Sequence, residues 1–65
     1  MNKYIDNEIF NDLDPGCIIK TRFMGYAITQ DCVNDNKEIR VKFTTGPWKD
    51  KELYLIREQI KKICG

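Results

Sequence analysis

The side chains of this chain that are best suited to nucleophilic or metal-binding chemistry are three cysteines, Cys17, Cys32 and Cys64. The chain contains no histidine. A nucleophilic cysteine normally needs a neighbouring base, and a structural zinc site needs four ligands. Three widely spaced cysteines do not supply either arrangement. We therefore expect buried thiols that behave as small apolar side chains, without a metal or a cofactor.

Carboxylates and glycines do not form a catalytic signature either. The pairs Asp12–Asp14 and Asp50–Glu52 stand where turns and helix starts are predicted, and acidic residues are common there for structural reasons. The four glycines are too far apart for a phosphate-binding loop. A chain of 65 residues also leaves little room for a pocket, so we expect no enzymatic activity.

Basic side chains alternate with apolar ones in two stretches, residues 17–24 and 38–45. Strands in both stretches would turn their apolar positions to a core and their cations to solvent, with a third strand between them. The expected core positions are Ile19, Thr21, Phe23, Ile39, Val41 and Phe43. Basic groups around an aromatic platform are suited to nucleic acid. The candidate nucleic-acid-binding residues are Lys20, Arg22, Tyr26, Arg40 and Lys42.

The segment TTGPWKDK suggests a second kind of site. Trp48 stands in a polar loop, and tryptophan is enriched in protein-binding hot spots, although a loop tryptophan also often caps a small core. The acidic side of an N-terminal helix offers a further surface for a protein partner. The candidate protein-binding residues are Trp48, Lys49, Tyr54, Asp6, Glu8 and Asp12.

The N-terminal segment predicts a helix over residues 3–13. Apolar residues at Ile5, Ile9 and Leu13 form one helical stripe, which we expect to pack on the rest of the domain, and Asn2 is a candidate N-cap. The helix should end before the DPG sequence at 14–16, because the residue before a proline avoids the α conformation.

The remainder predicts strands over 17–24, 26–33 and 38–45, with a bend or bulge at Gly25 and a turn at NDNK, residues 34–37. The tail has two interpretations. In the first interpretation, residues 51–64 form an amphipathic helix that begins at Asp50. In the second, they form a strand KELYLI, a single helical turn REQI and a short strand KKIC.

The succession DPG, CIIKTRF, GYAIT, IRVKF and LYLIREQIKKI resembles the layout of bacterial SH3-like small barrels over residues 14–64. Those barrels have five short strands and a one-turn helix before the last strand. The resemblance implies a mainly β domain spanning 1–65, with an acidic helix at 1–13 and a small five-stranded barrel at 17–64. The alternative is an α+β domain with a helix, a three-stranded antiparallel meander and a C-terminal helix.

These features predict a small non-catalytic binding protein that modulates or inhibits a larger protein partner. Its Asn-, Lys- and Ile-rich usage is typical of an AT-rich genome such as that of a phage or another mobile element. The alternative function is a small nucleic-acid-binding barrel. No apolar run approaches the ~20 residues of a membrane span, and the N-terminus lacks the apolar core of a signal peptide, so we expect a cytoplasmic protein without a membrane partner. The oligomeric state stays open.

Overall fold

The computed structural model describes residues 5–23 and 25–64. This part of the chain is mainly β, with five antiparallel strands in one open sheet, one short α-helix and one 3-10 turn. The mainly β prediction is confirmed, and the alternative with a C-terminal helix is wrong. The elements are α1 (Asn7–Asn11), β1 (Ile18–Thr21), β2 (Tyr26–Thr29), β3 (Ile39–Phe43), β4 (Glu52–Leu55), the 3-10 turn (Arg57–Gln59) and β5 (Ile60–Ile63).

The strands lie in the order β4-β3-β2-β1-β5. β1 to β4 follow one another as an antiparallel meander, and β5 returns to pair with the free side of β1. The pairing of β1 with β5 contains an irregularity between Lys20 and Thr21, which allows β5 to follow the twist of the sheet. β2 lies at the centre of the sheet and pairs with both β1 and β3. Its backbone hydrogen bonds therefore fix the side chains of β1 and β3 relative to one another.

The tail adopts the strand, turn and strand interpretation. In β4, Leu53 and Leu55 both turn inward and pair with Val41 and Ile39 of β3, whereas a helix would have placed Leu55 away from the other apolar residues. The Gln59 side-chain oxygen accepts a 2.9 Å hydrogen bond from the Ile56 N–H and so closes the 3-10 turn. Pairing with β3 therefore outweighs the helical periodicity of this segment.

The core lies on one side of the sheet, and most of its members come from alternate strand positions, as period-two patterning requires. Its buried apolar residues are Phe10, Leu13, Ile19, Ala27, Ile39, Val41, Phe43, Leu55 and Ile60. The predicted inward positions in β1 and β3 are confirmed except for Phe23, which is 47% exposed. β1 ends at Thr21, whose N–H and hydroxyl both bond to the Gly25 carbonyl oxygen, so the chain turns before Phe23 reaches the core.

The N-terminal helix is present but shorter than the predicted span of 3–13. Its N-cap position is Asp6, and the predicted cap, Asn2, lies outside the described residues. The expected stripe is wrong at Ile9, which is exposed, whereas the neighbouring Phe10 is buried. The helix ends after little more than one turn, so Phe10 together with Leu13, rather than a longer i, i+4 row, contacts the core.

Two turns form as their residue types predict. After α1, the DPG turn is tied to β2 through Thr29, whose hydroxyl donates to the Asp14 carbonyl oxygen at 2.6 Å and accepts from the Cys17 N–H at 2.9 Å. In the 34–37 turn, the Asn34 side-chain oxygen accepts from the N–H groups of Asn36 and Glu38. The adjoining strands are shorter than predicted, because β2 already ends at Thr29.

Replacing Gly25 by alanine should destabilise the domain by about 2–4 kcal/mol. Gly25 has a φ of +98°, and a Cβ atom there would lie 2.6 Å from both the carbonyl and hydroxyl oxygens of Thr45. Gly16 is the matched control, since its φ is +89° and a Cβ atom would meet nothing within 4 Å. Gly16→Ala should cost only about 1–2 kcal/mol in urea unfolding. Equal losses for the two variants would contradict the close approach at Gly25.

Replacing Thr29 by valine should lower the free energy of unfolding by about 1–3 kcal/mol, because it leaves the Cys17 N–H and the Asp14 carbonyl without their partner in a buried position. The control is Thr44→Val, which removes only a 3.3 Å bond to the Tyr26 carbonyl oxygen in an exposed position. Urea unfolding should show a change below about 0.5 kcal/mol for this control. A Thr29→Val protein as stable as the wild type would refute this role for the hydroxyl.

Candidate functional site

The strand register gathers basic and aromatic side chains on the side of the sheet opposite the core. Lys20 pairs with Tyr26 on one side and with Lys62 on the other, and Lys42 pairs with Ile28. Successive residues of a strand point to opposite faces, and the sequence neighbours of these residues in β1, β2 and β3 are buried. We call this side the outer face and define it as Ile18, Lys20, Tyr26, Ile28, Arg40, Lys42, Glu52, Tyr54 and Lys62, of which Glu52 is the acidic member.

The lysines of the outer face differ in their surroundings from its arginine. The Lys20 ammonium lies 5.8 Å from the centroid of the Tyr26 ring, a cation–π distance. Lys42 and Lys62 are exposed. Among the ion pairs of residues 5–23 and 25–64, none involves Lys20, Lys42 or Lys62. These ammonium groups can therefore approach an anion without first breaking a salt bridge within the described structure.

Arg40 is held by two carboxylates. Its guanidinium nitrogens lie 3.6 Å from Asp31 and 3.6 Å from Glu52, although Glu52 stands opposite Lys42 in the strand register. These contacts neutralise Arg40 locally. Of the residues predicted for nucleic-acid binding, the structure brings Lys20, Tyr26, Arg40 and Lys42 onto one face, and Arg40 is the member whose charge is already paired with carboxylates.

Charge is distributed unevenly between the two ends of the sheet. Residues 22–25 and 44–51 connect strands at one end, and residues 30–38 connect β2 to β3 at the other. The connections at the first end carry the basic residues Arg22, Lys49 and Lys51 and one acidic residue, Asp50. The connection at the second end carries the acidic residues Asp31, Asp35 and Glu38 and one basic residue, Lys37. The 30–38 connection therefore leaves β2 and β3 at the ends opposite the 22–25 and 44–51 loops. The 3-10 turn, which carries Glu58, is joined to Arg22 by a 2.9 Å bond from the Arg22 N–H to the Gln59 carbonyl oxygen.

The two loops at the basic end are in direct contact. The Tyr26 N–H donates to the Thr45 hydroxyl at 2.8 Å, and the Thr44 N–H donates to the Tyr26 carbonyl oxygen at 2.8 Å. Gly25 lies against Thr45 so closely that a side chain would not fit. This contact places Phe23 and Trp48 in neighbouring loops.

Trp48 is both packed and exposed. Its ring centroid lies 6.4 Å from that of Phe43, with the ring planes tilted by 40°, and 41% of the residue remains exposed. It therefore covers the end of the core at Phe43 and presents the rest of its surface to solvent.

Phe23 was missed as a candidate because the alternation in 17–24 assigned it to the core. Gly25, two residues later, was the signal that the strand ends early.

The residues predicted for protein binding do not form one patch. Trp48, Lys49 and Tyr54 are all exposed, but Tyr54 projects from β4 opposite Arg40, three residues beyond the loop residue Lys51. At ~3.3 Å per strand residue this corresponds to about 10 Å of strand, and Trp48 packs toward the core side of the sheet. The acidic candidates are exposed around α1: Asp6 at its N-cap, Glu8 in its first turn and Asp12 at its C-cap.

A groove of about 530 Å³ lies between α1, the 34–37 turn and the 3-10 turn. Phe10, Lys37 and Ile56 are among its lining residues. Arg57 also lines it, but its guanidinium donates to the Ile5 carbonyl oxygen at 2.7 Å and lies 3.5 Å from Glu58. Arg57 thus holds the start of α1 against the 3-10 turn. The groove contains none of the residues predicted for binding.

The cysteines are not buried as predicted. Cys17 is half-buried, and Cys32 and Cys64 are exposed, because both follow the ends of their strands, β2 and β5. Within the described ranges, no group of three or more potential metal-ligating side chains is arranged to hold an ion. No helix in the same part of the chain has the length and apolar character needed to cross a membrane.

Comparison of the chain with protein-family models, with curated proteins and with solved structures finds no match. Function is therefore inferred from the residues and their arrangement.

Replacing Trp48 by alanine should lower the free energy of unfolding by about 2 kcal/mol, roughly half of what removing a fully buried tryptophan costs. The reason is that only part of the ring packs against Phe43. Tyr54→Ala is the control, because Tyr54 is 58% exposed and should change stability by less than about 0.5 kcal/mol. Complete unfolding of Trp48→Ala in buffer would mean that Trp48 is chiefly a core residue.

Proposed function

We propose that this chain is a small non-catalytic domain of the SH3-like barrel type that binds nucleic acid through its outer face. The observation that carries this proposal is the strand register, which sets Lys20, Tyr26, Lys42 and Lys62 side by side on a single surface. Ammonium groups neutralise phosphates, and tyrosine rings accept stacked bases or sugars.

The barrel assignment is supported by the order of the strands. β5 lies beside β1, and a one-turn helix precedes it, as in the barrels that the sequence resembles. The proposed ligand surface is then the outside of the sheet, where no core residue has to move to admit a ligand.

The electrostatic support comes from the separation of charge along the sheet. The net charge of the chain is only +1, which by itself does not favour nucleic acid. However, the acidic residues Asp31, Asp35 and Glu38 lie at the end opposite the 22–25 and 44–51 loops. In the strand register Lys20 stands beside Tyr26 and Lys62 and has no acidic residue opposite it, whereas Lys42 stands opposite Glu52, so we expect the positive potential of the face to be strongest around Lys20 and Lys62.

Apolar surface adds to this face. Ile18 is exposed and pairs with Ile28 between the lysines of β1 and β3. Such a pair offers contact to sugar rings and base faces, which charged residues alone do not provide. A protein-partner function, our first expectation from the sequence, has less support because the residues predicted for it are divided between α1, the 44–51 loop and β4 and do not form one patch.

The lysines should control affinity and its dependence on salt. We expect Lys42→Gln and Lys62→Gln each to weaken binding to a fluorescently labelled oligonucleotide. Each should also reduce the slope of log K against log [salt] by about 0.7–0.9, since each variant removes one phosphate contact. The measurement is fluorescence anisotropy at several salt concentrations.

The matched control is Lys37→Gln, which removes an exposed lysine from the acidic end of the sheet. It should leave both the affinity and the salt slope unchanged. An equal effect of all three variants would indicate attraction by overall charge and would contradict a defined face. Absence of binding to single- and double-stranded DNA and RNA at low salt would refute the proposed function.

A further inference from the structure

Phe23 and Trp48 are large aromatic residues that the proposed outer face does not include. Both are substantially exposed, at 47% and 41%, although exposure of such rings to water is unfavourable. They lie in the two contacting loops at the basic end of the sheet. A ligand that covered both rings would remove their apolar surface from water, which is favourable.

The position of the loops connects these rings to the outer face. Phe23 follows β1 two residues after Thr21, and Tyr26 begins β2 directly after Gly25. Tyr26 is also the residue whose backbone bonds to Thr44 and Thr45 of the second loop. A ligand on Lys20 and Tyr26 therefore meets the loops that carry Phe23 and Trp48 if it extends toward the basic end.

Cations accompany the aromatic rings in both loops. Arg22 precedes Phe23, and Lys49 follows Trp48, and both basic residues are exposed. This combination fits a ligand that has a negatively charged backbone and flat apolar groups. A peptide whose side chains are only acidic would satisfy the cations but would not supply a flat group for each ring.

We propose that Phe23 and Trp48 stack on unpaired bases of a single-stranded nucleic acid whose phosphates contact the outer face. This inference rests on the proposed function and narrows its ligand. Bases within a duplex are already stacked on one another, so rings on loop tips can reach only bases that are splayed out. The ligand is then a single strand that runs from the outer face over the basic end of the sheet.

Trp48 is the only tryptophan of the chain, so its fluorescence reports directly on this contact. The experiment titrates the protein with an unlabelled single-stranded DNA of about ten nucleotides, within the usual range for a small barrel. The corresponding duplex is the parallel ligand. We expect the single strand to quench the fluorescence of Trp48 with the same affinity as anisotropy reports, and the duplex to bind at least about tenfold more weakly.

Phe23→Ala is the variant that tests the second ring. Phe23 is outside the core, so the variant should fold, and its affinity for the single strand should fall by about tenfold, within the range for loss of one stacked base. Ile56→Ala is the control, because Ile56 is also an exposed apolar residue but lines the groove near α1. It should bind as the wild type does. Trp48→Phe keeps an aromatic ring and should retain most of the affinity.

The outcomes separate this inference from the proposed function. If the single strand binds in a manner that depends on Lys42 and Lys62, but Trp48 fluorescence is unchanged and Phe23→Ala binds normally, the stacking inference is overturned and the outer face stands. Equal affinity for the duplex would also overturn it. If no nucleic acid binds, both proposals fail.

Discussion

The close approach of Gly25 to Thr45 is the constraint on which the arrangement of this surface depends. A glycine at positive φ allows β1 to turn sharply into β2, and the absence of a side chain allows the second loop to lie against that turn. The Thr45 hydroxyl and the Thr44 N–H then bond to the backbone of Tyr26. The turn at Gly25 thus ends β1 at Thr21 and leaves Phe23 outside the core, and its close approach to Thr45 joins the two basic loops.

The same geometry explains how a nearly neutral chain acquires a basic surface. The antiparallel meander places alternate connections at opposite ends of the sheet, so basic residues near 22 and 49 share one end, while acidic residues at 31–38 occupy the other. Asp31 and Glu52 further offset Arg40 and leave Lys20, Lys42 and Lys62 as the principal cations of the outer face. Function is therefore proposed from local charge rather than from net charge.

The sequence predicted those features that depend on local patterning. Alternation in Ile39, Val41 and Phe43 correctly predicted β3, and the DPG and NDNK turns formed where their residue types require them. The strand at 52–55 was ambiguous, because its pairing with β3 is a tertiary interaction that competes with helical periodicity. The exposure of Phe23 had a local signal in Gly25, which marks the early end of the strand. The salt bridges of Arg40 were not predictable, since they depend on contacts with residues of other segments, Asp31 and Glu52.

The proposed function is nucleic-acid binding by the outer face and the adjoining loops. Its most direct test is an amide-resolved NMR titration of the protein with a short single-stranded DNA, at low and at moderate salt. We predict chemical-shift changes that converge on residues 20–26, 42–49 and 62, and that diminish as salt rises. An unperturbed spectrum, or changes confined to α1 and the groove beside it, would contradict the account.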